Sequence, residues 1–128
     1  EKMHIYCARS HPLFDADHSK LDWDDIKHYP FAGLGYHSPN MELTHEKGLK
    51  RSATAYDQES IATLISSGIY IGFLPDHYAD IFVADSHMQR IENETFEYDV
   101  QYSAIIRRAP VSSRSVHVLM QCLVEAHQ

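Results

Sequence analysis

SATAYDQESIATLISSGIYIGFLPDHYA, residues Ser52–Ala79, carries the marks of a strand, a helix and a second strand in succession. Ser52-Ala53-Thr54-Ala55 is small and strand-compatible, and Asp57 stands where a helix N-cap belongs. Ile61, Leu64 and Ile65 recur at helical spacing, and Gly68 follows as a stop. Tyr70-Ile71-Gly72-Phe73-Leu74 is a short apolar run suited to a parallel strand covered on both faces, and Pro75 ends it. The segment is therefore a βαβ unit. Such units present ligand sites at strand C-terminal ends and helix N-termini, and this one holds no evident catalytic group.

Outward from this unit the same reasoning gives the remaining elements. Met3 to Ala8 reads as a strand, stopped at Ser10-His11-Pro12 because proline lacks a donor and pushes its predecessor toward extended geometry. A short helix over Leu21–Ile26 has Asp22 as its cap, and Pro30 breaks it. Phe31-Ala32-Gly33-Leu34-Gly35-Tyr36 is a strand with its exit, and Met41 to Gly48 a helix. Asp76 is expected to cap a helix running through Tyr78 and Ile81, ahead of a brief strand at Met88–Ile91 and a turn at Asn93-Glu94. Phe96, Tyr98, Val100, Tyr102, Ala104 and Ile106 alternate with mostly polar neighbours, the pattern of one half-buried strand. Ser112 or Ser113 caps the last helix, where Val116, Leu119, Met120, Leu123 and Val124 form an apolar stripe.

At 128 residues, with 44% hydrophobic and 23% charged side chains, the chain has the size and balance of one globular domain. No apolar run approaches the roughly 20 residues that span a bilayer, and no secretory signal pattern opens the sequence. The net charge of −7 argues against a grip on polyanions, which needs a basic face to displace counterions. Cys7 and Cys122 lie far apart, outside metal or redox spacing, and read as small buried residues of a reducing, cytoplasmic compartment.

Ten histidines raise the question of a metal, but there is no HExxH, no Cys/His finger and no helical His pair four apart. The densest group of potential ligands, His11, Asp15, Asp17 and His18, falls on a proline-broken loop. His11 is expected to hydrogen-bond the backbone there instead. Gly33-Leu34-Gly35 is too short for a dinucleotide fingerprint, and neither a P-loop nor a GxSxG elbow occurs. Neither enzymatic chemistry nor a cofactor is expected.

Several stretches in order resemble the effector-binding (substrate-binding) domain of LysR-type transcriptional regulators. They are His4-Ile5-Tyr6-Cys7-Ala8-Arg9-Ser10-His11-Pro12-Leu13-Phe14, Tyr29-Pro30-Phe31, Ala55-Tyr56-Asp57-Gln58-Glu59-Ser60, Ser67-Gly68, and Tyr70 to Pro75. The strand and helix from Tyr98 to Gln128 match in register, so the resemblance covers nearly the whole chain. It implies an α/β fold: a mixed, mostly parallel sheet with helices on both faces, like one lobe of a type 2 periplasmic binding protein. Residues 1–100 would be the second subdomain of an effector domain, and residues 101–128 the return strand and helix of the first. The chain would then be a fragment, with DNA contacted only through an N-terminal helix-turn-helix outside it.

The same resemblance implies an effector cleft to which this chain contributes the turn at Gly33, Leu34, Gly35, Tyr36, His37 and Ser38, and Gln58 at the next helix start. Glycines there free backbone N–H groups, Ser38 adds a hydroxyl, Tyr36 a packing face, and Gln58 a donor. Against this stand a plain glycine turn, an Asp57 that caps its own helix and a Gln58 that faces solvent. Arg107 and Arg108 face either the cleft or solvent. The family assembles through its effector domains, and Ala62 with Ser66-Ser67 would permit close helix approach. Two rivals remain: a lobe of a solute receptor, and a small metal enzyme built on the His11–His18 loop.

Overall fold

A computed structural model of the chain describes residues 1–107 and 113–127. The strands are β1 (Lys2–Ala8), β2 (Phe31–Leu34), β3 (Arg51–Ala55), β4 (Ile71–Pro75), β5 (Met88–Arg90) and β6 (Glu97–Asp99). The helices are α1 (Trp23–Ile26), α2 (Pro39–Glu46), α3 (Gln58–Ser66), α4 (Asp76–Ala84) and α5 (Arg114–Ala126), with a 3-10 turn at His18–Lys20.

The strands form one sheet in the order β3-β2-β4-β1-β5, with β6 on β1 as well. Parallel pairings join β2 to β3 and to β4, whereas β1 runs antiparallel to β4, β5 and β6. The βαβ unit therefore passes over β2, which lies between its two strands. Side chains alternate across the sheet and build two cores. Met3, Ile5, Cys7, Phe31, Ile71 and Phe73 pack with Ile26 of α1 and Leu43 of α2, while Tyr6, Ala8, Ala32, Leu34 and Leu74 pack with α3 and Ala79 of α4. Helices thus cover both faces.

Local chemistry sets the helix ends. Asp57 accepts from the N–H of Ser60 at 2.7 Å, and Gly68 ends the same segment at φ 76°, a region open to glycine. Asp22 and Asp25 form a reciprocal capping box on α1. Helix α2 begins earlier than its apolar pattern indicates, because Ser38 caps it and Pro39 fills the first turn, where a missing donor costs nothing.

Three expectations are corrected. Asp76 makes no side-chain cap: Pro75 occupies that position, and the Asp76 carboxylate accepts from Tyr6 at 2.8 Å and lies 2.6 Å from Nδ1 of His4. The alternation from Phe96 to Ile106 yields strand only over Glu97–Asp99. Phe96 is buried, but Tyr102 and Ile106 are exposed, because among the described residues no strand flanks 101–107 to take up its ladder bonds. Cys7 is buried and its thiol is pushed up to about 12 by that burial, but Cys122 is exposed on α5. The stripe of α5 likewise leaves Leu119, Leu123 and Val124 exposed. Ser113 caps α5 through the N–H of Val116; Ser112 lies outside the described residues.

Candidate functional site

The C-terminal ends of β2 and β3 lie side by side, and each strand runs directly into the N-terminus of a helix. This places the β2–α2 turn beside the start of α3. Gly33 and Leu34 are the last residues of β2 and are buried, while the Gly35 N–H donates to the Ala55 carbonyl at 2.8 Å and ties the two strand ends together. Tyr36 is 45% exposed, His37 sits 3.1 Å from Glu42 at the surface, and Ser38 is committed to the α2 cap. The N–H groups of Tyr36, His37 and Ser38 make no hydrogen bond among the described residues. Three consecutive backbone donors are thus open, and none of them belongs to a glycine, since the Gly35 N–H is taken by Ala55.

The turn is walled by side chains of the neighbouring strand. A Cβ on Gly33 would stand 2.9 Å from Cδ of Arg51, and one on Gly35 would stand 2.7 Å from Cγ2 of Thr54 and 2.8 Å from the ring of Tyr56. A side chain at either glycine would make Arg51, Thr54 or Tyr56 shift. Arg51 lies across Gly33 and donates through Nη1 to the Leu34 carbonyl at 2.6 Å. Tyr56, 71% exposed, closes over Gly35 next to the α3 cap.

Gln58 opens α3 with its Oε1 buried and without a hydrogen-bond partner, so its amide does not simply face solvent. Asn40, in the first turn of α2, is only 3% exposed, and its Oδ1 is equally unpartnered. Asn40 also neighbours the Tyr98 hydroxyl, which burial pushes up to about 12 against the opposing effect of Asn40, with Tyr36 and Tyr102 close enough to add to the rise. Tyr36, Asn40, Tyr98 and Tyr102 thus gather where the turn meets the chain leaving β6. Asp57 does cap its own helix; its carboxyl is held below the ordinary range by the Ser60 hydroxyl and N–H.

Arg51, Tyr56, Asn40, Tyr98 and Tyr102 escaped the sequence reading. Only the alternating glycines at 33 and 35 hinted that neighbouring side chains lie across the turn. Arg107 is exposed, and Arg108 falls outside the described residues.

The histidine-rich loop is structural. The His11 Nδ1 accepts from the Leu13 N–H at 3.1 Å. His18 accepts the Glu92 N–H at Nδ1 and donates from Nε2 to the Leu13 carbonyl at 2.7 Å. Both rings are occupied by backbone, and no three His, Cys, Asp or Glu side chains among the described residues converge as metal ligands.

A family model described as the LysR substrate binding domain matches residues 1–128. The chain belongs to this family. It is 29% identical over 126 residues to the HTH-type transcriptional activator BauR of Pseudomonas aeruginosa, covering 98% of this chain and 40% of that protein. Solved structures share the fold at low identity. The full-length hypochlorite-specific LysR-type regulator HypT of Salmonella typhimurium superposes with a TM-score of 0.63 at 13% identity, over 95% of this chain and 42% of that one. Its apo regulatory domain gives 0.62 at 14% identity, over 97% and 60%. The regulatory domain of AphB from Vibrio vulnificus gives 0.53 at 13% identity, over 75% and 49%. This LysR substrate-binding domain therefore spans well under half the length of its curated relative. Among the described residues no helix is long and apolar enough to cross a membrane.

Proposed function

We propose that this domain binds a small-molecule effector at the β2–α2 turn and the start of α3, as the sensing part of a LysR-type transcriptional regulator. The observation that supports this reading is the turn itself: open N–H groups at Tyr36, His37 and Ser38, flanked by Arg51 and Tyr56 across two glycines that a side chain would block. Converging donors with an aromatic wall are what a polar metabolite needs from one side of a cleft. Family membership supports sensing rather than catalysis.

In this proposal residues 101–128 belong to the other wall of the cleft. The exposed apolar stripe of α5 and the exposed residues 101–107 fit a segment that packs elsewhere. An effector that prefers the closed cleft shifts subunit packing, and through it the placement of DNA-binding helices. Self-association uses the outer face of α3, where Ser66 and Ser67 are exposed; Ala62 takes no part, since it is buried against the sheet.

The test is calorimetric titration of the natural protein carrying this domain with a panel of small metabolites. Ligands that bind should lose at least tenfold in affinity when Tyr36→Ala and Tyr56→Ala remove the aromatic side chains beside the turn. Unchanged affinity in both variants would place the site elsewhere.

A further inference from the structure

We infer that the effector carries an oxyanion, a carboxylate or a group of the same hydrogen-bonding shape, and that Arg51 is the residue that selects it. This deepens the effector-site reading and rests on it.

Arg51 begins β3, yet its side chain runs along the sheet to the far end of β2, lying against Gly33. The Nη1–Leu34 hydrogen bond of 2.6 Å fixes one corner of the guanidinium. The opposite edge, formed by Nε and Nη2, has no acceptor among the described residues, and no carboxylate among them pairs with Arg51. A guanidinium edge offers two parallel N–H donors that match the two oxygens of a carboxylate, with a length and strength neutral donors do not reach.

The surroundings reinforce that edge. The N–H groups of Tyr36, His37 and Ser38 supply further donors on the adjoining turn. The nearest acid in sequence on the neighbouring helix start, Asp57, is turned onto Ser60. Arg51 is one of 11 Lys and Arg side chains in the chain, and it is held over a strand end that ligand sites of parallel sheets favour. The Leu34 carbonyl alone does not account for the arrangement, because it engages a single N–H and leaves the fork open.

The experiment is a nuclear magnetic resonance titration of the 128-residue chain, following the Arg51 Nε–H signal and the amides of Gly33 to Ser38. Sodium acetate, phosphate and sulfate are the probes, with sodium chloride at equal ionic strength as the reference. We expect a saturable shift with acetate beyond that with chloride, abolished in Arg51→Gln and weakened about tenfold or more in Arg51→Lys, which keeps the charge but loses the fork. A stronger response to phosphate or sulfate than to acetate would assign the oxyanion to that class. A response no different from chloride, or one that survives Arg51→Gln, overturns the inference. If metabolites that perturb the turn bind Arg51→Gln as well as the unaltered chain, the oxyanion inference fails and the effector site stands. If acetate shifts Arg51 while every bound metabolite maps elsewhere, the effector-site reading falls and takes the inference with it.

Discussion

Nδ1 of His4 lies 2.6 Å from Oδ1 of Asp76, and the other ring nitrogen of the same buried histidine lies 2.8 Å from Oε2 of Glu97. Both ring nitrogens can donate to carboxylates only when both carry a proton. Tyr6 adds its hydroxyl to Asp76, Lys2 pairs with Glu97, and Arg90 approaches Asp76 at 4.0 Å. The cluster joins β1, α4, β5 and β6 at the point where the chain leaves for α5.

Replacing this ring should loosen that junction. His4→Gln keeps one polar contact at most and leaves Asp76 with Tyr6 and the more distant Arg90; we expect a loss of about 1–3 kcal/mol in urea unfolding. The amides of β6 should exchange with deuterium faster than those of β4. A variant as stable as the parent, with β6 unaltered, would mean that the cluster adds nothing to the fold.

Glu97 gives the acid side of the same junction. Its carboxyl is held below the ordinary range, first by Lys2 and then by His4. A lowered folded value means the contribution is complete above the ordinary carboxylate range and disappears as pH falls through the lowered value. Glu97→Gln should therefore flatten the stability profile below about pH 4.3. A profile that superposes on the parent curve argues that the pair is too well solvated to matter.

His11 predicts a second pH effect at milder acidity. Burial pulls its value down, and the neutral ring accepts the Leu13 N–H. The unfolded chain then takes up a proton that the fold refuses, so the contribution is full above about pH 6.5 and is lost as pH falls toward the lowered folded value. His11→Asn keeps an acceptor without the titration. Chemical unfolding at pH 7.5 and 5.5 should show a larger drop for the parent than for this variant, and equal drops would remove His11 from the explanation.

In the core, Phe73 stacks edge-on with Phe31 at 5.9 Å and with Tyr98 at 4.9 Å. Phe73→Ala should cost about 3–5 kcal/mol. Because Tyr98 borders the candidate site, the variant should also shift the Tyr36 and Tyr102 signals. A large loss of stability with those signals unmoved would uncouple the core from the turn.

The elements legible in the sequence were those whose causes are local. Asp57 caps α3 from one residue away, Gly68 ends its segment by its own backbone freedom, and Ile61, Leu64 and Ile65 pack toward the sheet at helical spacing. What failed was set by partners distant in the chain. Asp76 had the right residue type for a cap, but His4 and Tyr6, more than 60 residues away, claimed its carboxylate. The alternation after Phe96 satisfied the period of a strand, yet a strand also needs a neighbour, and beyond Asp99 none is present among the described residues.

The candidate site divides along the same line. Its glycine turn was readable, because Gly33 and Gly35 mark close approach. Arg51 was not, since nothing in Lys50-Arg51-Ser52 shows that a strand's first side chain reaches Leu34, 17 residues earlier. Asn40 and Tyr98 meet only after α2 and β6 have packed on the same face.

The proposed effector site at the β2–α2 turn and the start of α3 is open to a direct solution test. The most direct measurement is amide shift mapping of the chain with any metabolite that binds it. The largest shifts should fall on Gly33 to Ser38 and on Gln58, with Arg51 and Tyr56 moving beside them. Shifts confined to α4, β5 or α5, with the turn unmoved under saturating ligand, would contradict it.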